Sequence, residues 1–137
     1  MTGTTISSKL LPFEAVLDHI PPGADIIMPN ANGEPAKLID TLEEHAEQLE
    51  GVRIHQMHAL RERRYINGEF GDHLRYVSYF LAPASRKAYL AGKCDLVPNH
   101  FSEVPDILQK NTKCSLVVAA ASPPNRHGYF SLGTNCD

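Results

Sequence analysis

Residues 114–123 read "CSLVVAAASP", an apolar run of strand length with no polar alternation. A strand with one face in water alternates apolar and polar side chains, whereas one covered on both faces does not. The run therefore predicts a central strand of a parallel sheet. Parallel neighbours need crossover connections, so helices must separate the strands.

The rest of the chain supplies that alternation. "ADIIMP", "VRIHQMHAL", "LRYVSYFLA" and "CDLVPNHF" read as strands, the last short and running into a loop. "PAKLIDTLEEHAEQL" is the strongest helical segment, with Leu38, Ile39, Leu42, Ala46 and Leu49 on one face and Pro35 suited to a first helical position. "ASRKAYLAG" predicts a helical turn or two, and "SEVPDILQKN" a helix capped by Ser102. "LPFEAVLDHI" predicts a short amphipathic helix stopped by Pro21, Pro22 and Gly23. The Asn-Gly pair in "RRYINGEF" predicts a small hairpin. The 137 residues suffice for one core and show no repeat or linker. The expected fold is α/β, a mostly parallel sheet flanked by helices.

Ligands of such sheets bind beyond the carboxyl ends of the strands. That rule selects four loops: Pro29–Glu34, Met57–Arg64, Pro98–Phe101 and Ser122–Tyr129. In "PNANGEP", Gly33 suits a positive φ, and the helix that follows offers free N–H groups to an anion. Glu34 would compete for that position, or simply face the helix dipole. Met28 and Met57 stand at adjacent strand ends, as core residues or as an apolar wall for an acyl chain.

His55 and His58 would point to opposite faces of a strand, and no HExxH or CxxC motif supports His100 and His127, so no metal site is expected. His58 or His127 could instead hydrogen-bond a substrate. Arg61, Arg63 and Arg64 in "RERR" could meet phosphates or form a solvated or interface charge cluster interleaved with Glu62. Cys94 and Cys114 begin buried-looking strands and read as small core residues rather than nucleophiles. Three cysteines without short spacing fit reduced thiols in a cytoplasmic protein. Net charge is −3, which argues against nucleic acid as a partner, and no apolar run reaches the length of a membrane span. No GxSxG, Walker A or GxGxxG segment is present. The closing "GTNCD" reads as the cap of a helix.

Three stretches together carry a resemblance. "IPPGADIIMPNANGEPAKLIDTL", "FLAPASRKAYLAGKCDLVPNHFSEVPDIL" and "ASPPNRHGYFSLGTNCD" resemble successive segments of the acetyl-CoA hydrolase/transferase family, nearest to its 4-hydroxybutyrate CoA-transferase subgroup. Asn125 departs from the pattern, standing where the family has Asp. The resemblance implies residues 1–137 form an incomplete CoA-transferase N-terminal domain of NagB/RpiA-like fold. The family's catalytic Glu and Gly-rich oxyanion loop would lie in a C-terminal half, leaving no catalytic residue in this chain.

The implied reaction moves coenzyme A between an acyl-CoA (acetyl, butyryl or 4-hydroxybutyryl) and a free carboxylate through a glutamyl-CoA thioester. Coenzyme A would be substrate, with no permanently bound cofactor. The implied partners are the C-terminal half and a second copy in a homodimer. The residues expected to line the substrate site are Met28, Asn30, Gly33, Glu34, Met57, His58, His127 and Gly128, with Glu34 a poor candidate for the nucleophile. An acyl-CoA hydrolase, a stand-alone sugar-phosphate isomerase-like domain and a non-catalytic interaction module remain as alternatives.

Overall fold

The computed structural model describes residues 10–133. Five strands form one sheet: β1 (Asp25–Ile27), β2 (Val52–Gln56), β3 (Leu74–Ser78), β4 (Asp95–Leu96) and β5 (Cys114–Val117). Their spatial order is β4-β3-β2-β1-β5, and every pairing is parallel. Among the described residues the α-helices are α1 (Ala36–Glu44), α2 (Pro83–Leu90) and α3 (Val104–Asn111), joined by short 3-10 segments. The expected α/β class is the observed one.

The strand order determines where the helices go. From β1 to β4 the chain moves steadily toward one edge, and then returns across the whole sheet to place β5 beyond β1. Right-handed crossovers put α1 and α2 on one face and the returning α3 on the other. The packing agrees. Ile39 and Leu42 of α1 join Ile26, Ile54 and Tyr76 in one fully buried cluster, extended by Ala46 of the following 3-10 turn and Leu49 just past it. These positions carry the helical spacing read in the sequence. In contrast, α3 buries no side chain completely.

Three local expectations are corrected. The apolar run 114–123 is not central: among the described residues β5 pairs only with β1, forming the sheet edge, and Cys114 and Val117 are exposed. "RRYINGEF" forms no hairpin. Tyr65 and Ile66 are fully buried, and this anchors the segment as consecutive turns with Gly68 at φ 70°. Ser102 does not cap α3. It sits inside a 3-10 turn, Phe101–Glu103, where Glu103 folds back to accept a hydrogen bond from the His100 backbone N–H at 3.0 Å. The short helix expected before Pro21 is present as a 3-10 helix, Phe13–His19, and none of its side chains is fully buried. The proposed cap "GTNCD" lies largely outside the described residues, as does Cys136.

Candidate functional site

The order reversal between β1 and β5 creates a crevice at their carboxyl ends, the position where open parallel sheets bind ligands. A cavity of about 460 Å³ occupies it. Its sheet wall is Ile27–Asn30 at the end of β1, His55–Met57 at the end of β2, Val117 of β5 and Tyr79 just past β3. The opposite wall is apolar side chains of α3, Val104, Pro105 and Leu108, with Phe101 and Ser102 at the entrance turn. No aspartate or glutamate lines it among the described residues.

The expected residues separate into three groups. Met28, Asn30 and Met57 do line the cavity. His58 stands beside it, stacked on Phe80 with ring centroids 5.5 Å apart, while its carbonyl accepts a hydrogen bond from Ala31 N–H at 3.0 Å. Gly33 and Glu34 lie in the adjoining turn, turned to other partners. The Gly33 carbonyl accepts from Ala120 N–H at 3.0 Å, fastening the chain after β5 to the turn. Glu34, its side chain only 5% exposed, is held by Arg63. The positive φ expected at Gly33 falls instead on Ala31, at 49°. His127 and Gly128 are away from the cavity in an exposed loop closed by Ser122 N–H donating to Ser131 O at 2.8 Å.

The "RERR" cluster divides: Arg61, Glu62 and Arg64 are exposed, as the solvated-cluster reading has it, whereas Arg63 is turned inward. Arg63 donates from Nε to Glu34 at 2.9 Å and also binds Asp40, while Arg64 pairs with Glu69 and covers the Phe70 ring. Cys94 is the small core residue expected, buried in the core cluster, where burial, aided by nearby Asp95, pushes its thiol up; Cys114, read the same way, is instead exposed on the edge strand β5. No group of metal-ligating side chains occurs among the described residues. Nor is any described helix long and apolar enough to cross a membrane.

Sequence reasoning missed the polar groups inside this wall. His55 Nε2 lies 3.0 Å from Asp25 Oδ1, and His55 Nδ1 lies 3.0 Å from the Tyr79 hydroxyl. Gln56 Nε2 donates to Pro29 O at 2.9 Å, and its Oε1 is buried with no partner among the described residues. Asp25 shares its face of β1 with Ile27, and His55 shares its face of β2 with the exposed Arg53, so strand alternation alone did not mark a buried polar pair.

Comparison with known proteins places this geometry. The profile of the acetyl-CoA hydrolase/transferase N-terminal domain matches residues 4–137. Succinyl-CoA:cyclohexane-1-carboxylate CoA transferase of Geobacter metallireducens is 33% identical over 109 residues, covering 80% of this chain and 25% of that enzyme. 4-Hydroxybutyrate coenzyme A transferase of Clostridium kluyveri is 27% identical over 130 residues, 94% of this chain and 30% of the relative. The chain thus spans between a quarter and a third of the length of these relatives.

The crystal structure of RipA from Yersinia pestis superposes with a TM-score of 0.76 at 23% identity, over 93% of this chain and 32% of that one. A 4-hydroxybutyrate CoA-transferase from Porphyromonas gingivalis gives a TM-score of 0.57 at 23% identity, covering 91% and 27%. Both support the fold. On the profile match along almost its whole length, the chain belongs to the acetyl-CoA hydrolase/transferase family, in the part that forms the family's N-terminal domain.

Proposed function

We propose that this chain forms the acyl-binding wall of a CoA-transferase whose nucleophilic glutamate is contributed by a C-terminal half. The observation that carries the reading is the apolar cavity at the β1–β5 switch point, walled by Met28 and Met57 and free of lining carboxylates. A thioester acyl group fits such a wall, and the wall excludes the water that would hydrolyse an activated intermediate. The carboxylates beside the wall have partners: Asp25 binds His55 and the Lys113 backbone N–H, Glu34 binds Arg63, and Glu103 accepts from the His100 backbone N–H.

In this reading the glutamate oxygen attacks the thioester carbonyl and expels coenzyme A as a thiolate, leaving an acyl-glutamyl anhydride. The thiolate attacks the glutamyl carbonyl, releases the first carboxylate and forms a glutamyl-CoA thioester. A second carboxylate reverses both steps. The substrates are an acyl-CoA and a small carboxylic acid. The protein carries no resident cofactor, works in the cytoplasm and assembles as a homodimer of two-part subunits.

The full-length protein, given acetyl-CoA and a labelled carboxylate, is expected to exchange coenzyme A and to become trapped as a reduced glutamyl adduct by borohydride. Transfer to water alone would make it a hydrolase of the same family. Exchange at an enzyme-like rate by residues 1–137 alone would overturn the division of labour.

A further inference from the structure

Asp25, His55 and Tyr79 come from three neighbouring strands or their ends. In the parallel register Asp25 faces Arg53 and Ile27 faces His55, so Asp25 and His55 are diagonal neighbours on one sheet face. His55 faces Val77 on β3, and Tyr79 follows two residues later on the same face. All three are buried, at 5%, 7% and 6% exposure. This is the face that carries the cavity, and His55 and Tyr79 both line it.

Such a trio is costly as mere packing. A carboxylate taken out of water needs compensating hydrogen bonds, and apolar residues of similar volume would stabilise the wall at least as well. With a carboxylate at Asp25 and a neutral imidazole at His55, the hydrogen bonds have one direction. Ionised Asp25 can only accept, and it takes one bond from Lys113 N–H at 2.7 Å. Its other oxygen therefore takes the proton-bearing Nε2 of His55. In the neutral imidazole Nδ1 is then an acceptor, so the Tyr79 hydroxyl donates its proton inward. Burial, with Asp25 nearby, raises the phenol above its ordinary range and keeps it protonated. The oxygen is left with lone pairs only. Gln56 of the same wall likewise has an uncommitted acceptor in Oε1.

We propose that Asp25 and His55 are positioning residues that hold the Tyr79 hydroxyl as a hydrogen-bond acceptor for a donor on the acyl-CoA ligand, either a hydroxyl of the acyl chain or an amide N–H of the coenzyme A arm. The proposal rests on the acyl-CoA reading above. It adds a selection rule: the end of the ligand at Tyr79 carries a donor, and a ligand presenting a carboxylate there is disfavoured.

The test uses full-length protein and two acyl-CoA substrates of equal chain length, one with a terminal hydroxyl and one without. Tyr79→Phe removes a single oxygen and keeps the ring. It is expected to raise KM about tenfold with little change in kcat. A rise for the hydroxylated substrate alone assigns the donor to the acyl chain, and an equal rise for both assigns it to the amide. KM within twofold of wild type for both substrates overturns the proposal.

Asp25→Asn and His55→Gln should reproduce the same substrate pattern, which a purely structural loss would not. Nitrogen-15 NMR of the His55 ring gives a readout independent of turnover: a proton on Nε2 and none on Nδ1 is expected, and the opposite tautomer overturns the relay. If wild type moves no coenzyme A, the transferase reading fails, and the tautomer still decides the relay.

Discussion

Arg63 and Glu34 join the loop after β2 to the turn after β1, and their side chains are 10% and 5% exposed. Glu34 was a candidate ligand contact in the sequence, yet its oxygen is occupied by a guanidinium that also binds Asp40. The pair sets the spacing of the two loops that carry Asn30 and Met57 into the cavity.

Arg63→Ala would strand the buried Glu34 carboxylate, which costs about 3 kcal/mol. The double substitution Arg63→Met with Glu34→Gln is expected to cost less than the sum of the two single changes, because the Glu34 charge is removed together with its partner. Urea unfolding of the four proteins measures the coupling directly. Strict additivity would show that the two side chains do not interact. If Glu34 were instead a ligand contact, Glu34→Gln would raise KM without lowering stability.

Met57 tests the acyl wall. Met28 is almost fully buried and part of the core, so its truncation to Ala is expected to cost about 2 to 5 kcal/mol. Met57 is only partly buried but also lines the cavity. Met57→Ala should therefore cost about 1 kcal/mol or less while enlarging the acyl space. Kinetics across a series of acyl-CoA chain lengths should show the preferred chain becoming longer or bulkier. An unchanged preference would place the acyl group elsewhere.

Tyr65 and Tyr76 meet edge-to-face in the core, centroids 5.8 Å apart. Burial pushes the Tyr76 phenol up to about 12 and raises Tyr65 well above its usual range. A phenol that holds its proton more tightly when folded contributes stability that is fully present below the unfolded value of about 10. That contribution is lost as pH rises through the folded value. For Tyr76 the loss is about 3 kcal/mol. Unfolding free energy should fall steeply between pH 10 and 12 (the unfolded and folded values), and Tyr76→Phe should make that fall shallower. The Tyr65 hydroxyl has no partner among the described residues, so Tyr65→Phe is expected to be neutral or stabilising by about 1 kcal/mol at pH 7.

What was legible in the sequence follows the range of each signal. The spacing of Ile39, Leu42, Ala46 and Leu49 is local, and it identified the buried face of α1 and its following turn. Met28 and Met57 were placed by the strand-end rule, which depends only on where each strand stops. The run 114–123 reported that an apolar strand is present, but an apolar pattern does not say what lies beside it, and β5 is an edge of the described sheet. Tyr65 and Ile66 overrode the Asn-Gly turn signal because burying two large side chains outweighs a local turn preference. The Asp25–His55–Tyr79 set was illegible because its members are 30 and 24 residues apart, and only strand register brings them together.

Asn125 closes the question raised by its departure from the family pattern. Its Oδ1 accepts from His127 N–H at 2.9 Å and from Tyr129 N–H at 3.1 Å, which shapes the loop that presents His127 and Gly128. A carboxylate oxygen could accept the same two bonds, so in this loop the side chain's role is acceptor geometry rather than charge. Asn125→Asp is therefore expected to leave CoA exchange by the full-length protein within about twofold, a change smaller than one hydrogen bond. Asn125→Ala removes the acceptor and should speed hydrogen exchange at His127 and Tyr129 by roughly tenfold. A large gain of activity in Asn125→Asp would show that the position requires negative charge, and would make the Asn a loss of function in this chain. Slow, unchanged exchange in Asn125→Ala would show that the Ser122–Ser131 closure holds the loop without it.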